Sequence, residues 1–420
     1  MIRSIRKLAV NRFLVVLMTV LLFTLTFGAA VSAQGNGVPN NNMPQQGQGQ
    51  DYSKANAFQD IMYLLQNYYV EDVEFNTLIQ GAIEGMLNKV DRYSYYMDAE
   101  EYEEMQTEYE GHYGGIGIVI TTRDNKLTIV SPIKNTPGER ADLRAGDVIT
   151  AINGEETAEM SQMKAVNMMR GEPGTEVIIT ITRGEEDPFD VKIVREDIEV
   201  PYVESEMKTE DIGYISLAQF IEDVGPKVEE AVADLKAQGA KGIILDLRNN
   251  PGGLLDEAVN VTSVFIDQGE VVSIRQRNQT ERVLNINKQI NSHPDIPLVV
   301  LINKGSASAS EIVSGAVKDY ERGKIVGVTS FGKGVVQSVI PLKDGSAVSL
   351  TTARYYTPDG NYIHEKGITP DLKVERDMEA VDAAAAEGET PPDNQLDKAL
   401  DELENMIFVQ EFQDKKASGQ

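Results

Sequence analysis

Cysteine is missing from all 420 residues of this chain. Its absence excludes disulfides, thiolate zinc sites, a cysteine nucleophile and a lipid-modified cysteine anchor. Histidine is scarce. Its three copies, His112, His293 and His364, are scattered at spacings that make no metal site. A serine–histidine–aspartate hydrolase therefore has few candidates for its base. Basic residues are outnumbered, 39 against 66 acidic, for a net charge of −27. That balance argues against non-specific nucleic-acid binding, which needs basic patches, and otherwise serves solubility. The rest is ordinary for a soluble protein of two or three domains: 41% hydrophobic and 25% charged.

The N-terminus reads as an export signal. Arg3, Arg6, Lys7 and Arg12 precede the uncharged, mainly apolar stretch Phe13 to Phe27, and Val31-Ser32-Ala33 offers a small-residue cleavage site before Gln34. The apolar stretch runs on through Val31, long enough to span a bilayer. Residues 1–33 are thus a signal peptide or a retained membrane anchor, and both readings stay open. Either way the bulk of the chain is expected outside the cytoplasm: secreted, periplasmic or held at the cell envelope. Residues 34–52, mostly Gln, Asn and Gly, form a flexible linker.

Helical spacing begins near Ala57, with Phe58, Ile61, Met62, Leu64 and Leu65. A second stretch carries Leu78, Ile79, Ala82, Ile83, Met86 and Leu87, and a third, acidic and aromatic, covers Ala99 to Tyr109. Residues 53–107 are therefore a helical N-terminal region, packing on the rest or on a second subunit. Across 108–197 the pattern turns to short strands, at 117–120, 127–130, 148–152, 177–181 and 189–194, with one helix at 161–169. From residue 198 to 376 strands and helices alternate, giving an α/β domain. Its runs Gly242 to Leu247 and Leu298 to Ile302 are continuously apolar, as buried strands are. Val335–Leu342 and Ala347–Tyr356 read as a hairpin around Lys343-Asp344-Gly345. Residues 377–391 read as an acidic linker. Residues 392–420 carry an amphipathic helix with Leu396, Leu400, Leu403 and Ile407 on one face and Phe408 beside it. Such a helix docks on its own domain or helps to form a dimer.

The chemistry gathers at a serine and a lysine. Ser308 follows the strand 298–302 and opens a helix, and Lys333 stands in Phe331-Gly332-Lys333-Gly334. A serine hydroxyl needs a base to become a nucleophile. A lysine serves if burial lowers its pKa enough to leave it neutral. Gln337 could hold that amine without raising its pKa as a carboxylate would. The Ala309 N–H, at the helix start, is placed for an oxyanion. The run Asp246-Leu247-Arg248-Asn249-Asn250-Pro251-Gly252-Gly253 closes another buried strand, so Gly252 or Gly253 can complete that hole, while Asp246 and Arg248 pair structurally. The bland alternatives are a helix cap and a tight turn. Gly327 to Lys333 fits the start of a phosphate-binding loop, but Gly334 stands where Ser or Thr is needed, which argues against nucleotide binding.

At these residues the chain resembles the carboxyl-terminal processing proteases, serine peptidase family S41, with an inserted PDZ domain. The resemblance rests on Ser306-Ala307-Ser308-Ala309-Ser310-Glu311, on 331–337, on 246–253 and on Tyr355-Tyr356-Thr357-Pro358-Asp359-Gly360 and Lys366-Gly367-Ile368-Thr369-Pro370-Asp371. It implies a crotonase- or ClpP-like α/β core. It also implies Ser308 as nucleophile, Lys333 as base, Gln337 as its orienting partner, and Ala309 with Gly252 or Gly253 as oxyanion hole. Neither metal nor cofactor is called for. Tyr113-Gly114-Gly115-Ile116-Gly117-Ile118 resembles a PDZ carboxylate-binding loop, which would make Gly115, Ile116, Gly117 and Ile118 the site for a peptide C-terminus. Two departures are Arg144-Ala145-Gly146, for the usual Lys-Ala-Gly, and Val90-Asp91-Arg92, for the usual Leu-Asp-Pro.

The expectation is thus a serine endopeptidase that cleaves exported proteins near their C-termini. The PDZ domain recruits the substrate and gates the site, with Arg170, at the end of the PDZ helix, a candidate regulatory contact. Protein or peptide substrates with exposed C-termini, a homodimer and an activating partner protein complete it. Two competitors stand beside it: a non-catalytic PDZ scaffold or chaperone, and a conventional Ser-His hydrolase.

Overall fold

The computed structural model describes residues 53–123, 126–184, 186–278, 281–387 and 391–417. The signal or anchor reading of 1–33 and the linker reading of 34–52 lie outside them. Among the described residues no helix is long and apolar enough to cross a membrane. The chain divides into two compact units after Gln80. The first carries the helix Ser53–Tyr68 and the start of Phe75–Leu87, and its Phe58, Ile61 and Leu64 are exposed.

In the second unit, residues 118–194 form an antiparallel sheet in the order 118–123, 126–132, 148–152, 176–182, 189–194. Alternation along Glu176–Thr182 sends Val177, Ile179 and Ile181 inward, while Ile178 stays exposed. The helix Gln162–Met169 closes this core through Ala165 and Met169. Its N-cap, Ser161, accepts the Lys164 N–H at 3.2 Å. Ile118–Arg123 is an edge strand, its outer side open. His112–Gly115 and Glu196–Glu199 pair antiparallel where the chain enters and leaves this domain.

The α/β domain holds a six-stranded sheet: 203–207, 212–217, 242–246, 298–302, 324–327, 372–373. All neighbours but the first pair run parallel. The apolar runs are continuous because both faces are covered. Ile243, Leu245, Leu298, Val300 and Ile302 face helices Val224–Ala237, Leu255–Phe265 and Ala309–Asp319. Ile244, Val299 and Leu301 face Ala399, Leu403 and Ile407 of the C-terminal helix Asn394–Ala417. That helix docks on its own domain, with Phe408 and Phe412 outside. The stretch read as an acidic linker carries a helix, Met378–Glu387.

A second sheet is built on Ala347–Tyr356. Val335–Pro341 pairs along one edge, and Tyr95–Met97 and Glu270–Gln276 share the other. Glu281–Asn285 lies beyond Glu270–Gln276. The expected hairpin at 335–356 is present.

Candidate active site

Ser308 sits in the tight connection between the buried strand Leu298–Ile302 and helix Ala309–Asp319. Its backbone lies at φ 54°, ψ −112°. Such a conformation costs an L-residue about 1–3 kcal/mol and persists only where its surroundings enforce it. Asn250 does much of the enforcing. Its carbonyl accepts the Ala307 N–H at 3.0 Å and the Ser310 hydroxyl at 2.9 Å, and its side chain donates to Leu217 O at 2.8 Å. Gly252 packs so closely on the serine that a Cβ there would stand 2.7 Å from Ser308 Cβ, and its φ is +104°. Glycine is required on both counts.

Sequence reasoning passed over Glu311 except as part of a motif, yet its carboxylate joins the two halves of the site. It is fully buried. It accepts the N–H groups of Ser308 at 2.9 Å, Gly332 at 2.7 Å and Lys333 at 2.8 Å, and the Ser330 hydroxyl at 2.5 Å. The Tyr355 hydroxyl stands 3.5 Å from Glu311, 3.3 Å from Ser308 O, and hydrogen-bonds to Lys333 O. The serine–three–glutamate spacing of a capping box was the signal that could have found Glu311. Burial lowers the Lys333 pKa, and the Glu311 charge opposes that shift.

Ser308, Lys333, Gln337, Gly252, Gly253 and Ala309 all line one cleft of about 490 Å3, which holds no histidine. They share the cleft but are not in hydrogen-bond register. No hydrogen bond joins Ser308 Oγ to Lys333 Nζ; the amine lies 5.6 Å over the Tyr93 ring. Gln337 donates to Thr351 Oγ1 at 3.3 Å instead of holding the lysine. The Gly252 N–H is taken by Asn250 Oδ1 at 2.9 Å, while those of Gly253 and Ala309 have no acceptor among the described residues. Tyr93 is carried by a turn that needs no proline: Asp91 Oδ1 accepts the Tyr93 and Ser94 N–H groups, each at 2.7 Å.

Asp246 and Arg248 pair as expected, at 2.6 Å, and the pair extends to Asp393 at 2.8 Å, fastening the start of the loop 246–253 to the head of the C-terminal helix. Burial works to raise the Asp393 carboxyl, but hydrogen bonds from Arg248 and the Leu396 N–H, with the charges of Arg248 and Arg376, outweigh it and hold the group down at about 2. The expected carboxylate loop bridges two strands. Gly115 ends His112–Gly115, Ile116 is buried, Gly117 has φ +71°, and Ile118 opens the edge strand. Arg170 closes the helix beside that loop, its guanidinium carbon 4.7 Å over the Tyr113 ring. Its Nε is buried with no hydrogen-bond partner among the described residues. Among those residues no cluster could hold a metal ion.

Residues 211–374 match peptidase family S41, 128–183 a PDZ domain and 22–101 the activating protease CtpB N-terminal domain. The chain is 44% identical over 333 residues to the carboxy-terminal-processing protease of Bartonella bacilliformis, covering 78% of this chain and 76% of that one. It is 39% identical over 327 residues to a probable CtpA-like serine protease of Staphylococcus aureus, covering 77% of this chain and 66% of that one. Among solved structures, the photosystem II D1 C-terminal processing protease is 28% identical, with a TM-score of 0.45 over 77% of this chain and 93% of that one. A putative S41 protease from Bacteroides fragilis is 16% identical, with a TM-score of 0.47 over 87% of this chain and 99% of that one.

Proposed function

This chain belongs to the carboxy-terminal-processing proteases of peptidase family S41, serine peptidases, and from that premise we propose that Ser308 and Lys333 are its catalytic pair. The observation that carries the reading is Glu311: one buried carboxylate holds the serine backbone and the lysine loop together. Lys333, neutral, takes the Ser308 Oγ proton as Oγ bonds to the peptide carbonyl carbon. The oxyanion is met by the free N–H groups of Gly253 and Ala309, with Gly252 shaping the approach. The C–N bond then breaks, the lysine proton leaves on the amine, and water releases the acyl group from Ser308. Gln337 holds the amine once it has left Tyr93.

The edge strand Ile118–Arg123 and the loop Gly115–Ile118 take the substrate C-terminus by adding a strand and capturing its carboxylate. The out-of-register lysine and glutamine are a resting arrangement in our reading. Peptide binding shifts it through the paired strands 112–115 and 196–199, with Arg170 on Tyr113 as the contact that moves. The substrates are exported proteins with exposed C-termini, met outside the cytoplasm, with residues 1–33 directing export or anchoring the chain. The exposed Phe58, Ile61 and Leu64, and separately Phe408 and Phe412, are the surfaces expected to build a homodimer or seat an activating protein.

Ser308→Ala is the test. It should lose product formation while keeping its affinity for a C-terminal peptide. Cleavage that survives in the variant would remove the reading. Wild-type binding without cleavage, with or without added C-terminal peptide, would favour a binding scaffold.

A further inference from the structure

Beside the catalytic cleft a second concavity, about 890 Å3, carries Arg275, Arg277 and Arg354 on its wall. Its acidic residues are Asp91 and Glu281. Asp91 is committed to the turn under Tyr93, and Glu281 to Arg275 at 2.9 Å. Among the described residues no carboxylate lies within ion-pair distance of Arg277 or Arg354. A positive hollow is unexpected in a chain with 27 more acidic than basic residues.

The strand register sharpens the point. Arg275 and Arg354 are directly opposed partners on adjacent antiparallel strands. Like charges so placed weaken a sheet, and among the described residues neither arginine finds a counter-charge on the other's strand. Each guanidinium instead lies on an aromatic ring, Arg275 at 4.1 Å from the Tyr356 centroid and Arg354 at 5.5 Å from that of Tyr362. Stacking fixes the plane of an arginine and leaves its N–H edge free for a carboxylate.

The rings continue toward the catalytic lysine. Tyr356 to Tyr362, Tyr362 to His364 and His364 to Tyr93 are separated by 5.3, 5.8 and 5.9 Å. Tyr93 is the ring under Lys333. Val335, two residues beyond Lys333, lines both hollows. Strand alternation puts Arg354 and Tyr356 on the face opposite Tyr355, so the row of rings turns round the sheet edge between the two.

From these contacts we infer that the arginine–tyrosine hollow is a specificity subsite for an acidic segment, Asp or Glu side chains, of the polypeptide being cut. The inference rests on the proposed cleavage at Ser308, whose cleft the hollow adjoins. Carboxylates dock on the Arg354 fork and on the terminal N–H groups of Arg275 that Glu281 does not take, and the intervening backbone runs over the rings to the scissile bond.

The test uses the purified full chain and a peptide set in which an Asp-Glu pair is stepped along a neutral parent on both sides of the cut. At the favoured position, kcat/KM at low salt should exceed that of the parent by about tenfold, and the advantage should shrink at about 0.5 M salt. Arg354→Gln with Arg275→Gln should bring the acidic-to-neutral ratio near one. If the double variant does not fold, Arg354→Gln alone should reduce the ratio. In parallel, a labelled acidic peptide is titrated by fluorescence anisotropy onto Ser308→Ala protein with and without Arg354→Gln, which should weaken binding. An unchanged ratio and unchanged affinity would overturn the subsite, as would a peptide set with no favoured position. Cleavage of every peptide by Ser308→Ala would instead overturn the serine reading, a separate outcome.

Discussion

Replacing Glu311 by glutamine keeps the shape of the side chain and changes only its charge and one acceptor. In the native site one oxygen serves the Ser308 and Lys333 N–H groups, and the other serves the Ser330 hydroxyl and the Gly332 N–H. A glutamine must turn its NH2 toward one of these sets. The cheaper choice faces Ser330, whose hydroxyl can rotate to accept, leaving the Gly332 N–H opposed to a donor. A buried donor left unsatisfied costs about 1–3 kcal/mol, and bonds weakened by loss of the charge add to it, so about 2–4 kcal/mol of stability should be lost. Loosening falls on the loop that carries Lys333, and kcat should drop by tenfold or more. The pH profile supplies the check on the cause. With Lys333 as the proposed base, activity is expected to rise with pH as the lysine loses its proton. The Glu311 charge raises the lysine pKa, so its removal lowers that pKa and moves the acid limb to lower pH. Urea denaturation and pH–rate profiles of the purified variant measure both effects. A variant with unchanged midpoint, kcat and acid limb would refute the role given to this carboxylate.

The remaining predictions concern separate parts of the site and its support. Lys333→Met should lower the rate by about a hundredfold or more, the usual worth of a general base, yet raise the unfolding midpoint at neutral pH, because an amine whose pKa is lowered by burial costs folding free energy below its unfolded pKa. A midpoint that falls would contradict the burial argument. Gly252→Ala places a Cβ against Ser308 at a φ of +104° and should cost about 1–3 kcal/mol of strain and most of kcat, read by denaturation and peptide turnover. Asp393 has its folded pKa lowered to about 2 from 3.8. Its stabilisation is therefore complete above the unfolded value and lost as pH falls toward 2. Asp393→Asn should flatten that part of the stability–pH curve. Leu403→Ala, beneath the C-terminal helix, should cost about 2–5 kcal/mol of unfolding free energy in urea.

Much of the fold was legible because periodicity and burial agree in it. The run 298–302 is apolar throughout because helices cover both faces of its sheet, and the hairpin at 335–356 announced itself through Lys343-Asp344-Gly345. Three kinds of feature escaped. His112–Gly115 and Glu196–Glu199 are mostly polar or glycine and pair across more than eighty residues, through the backbone ladder and the His112–Asp197 contact at 3.2 Å, so neither carries a run of apolar residues. Val203–Met207, read Val-Glu-Ser-Glu-Met, is an edge strand held by one neighbour. The Ala- and Glu-rich stretch 378–387 lacks the bulk of a core segment, but the same residues are strong helix formers. In the site, motifs brought Ser308, Lys333 and Gln337 to one cleft. Spacing could not say that Lys333 rests on Tyr93 or that Gln337 bonds Thr351, since those contacts depend on side-chain rotation and on a turn at residue 91 distant in sequence.

The most direct measurement is digestion of an unfolded protein by the purified full chain beside Ser308→Ala and Lys333→Met, with fragments identified by mass spectrometry. The account predicts fragments from the wild type, none from Ser308→Ala, and at most traces from Lys333→Met. The same fragments at the same rate from either variant would contradict a serine–lysine catalytic site.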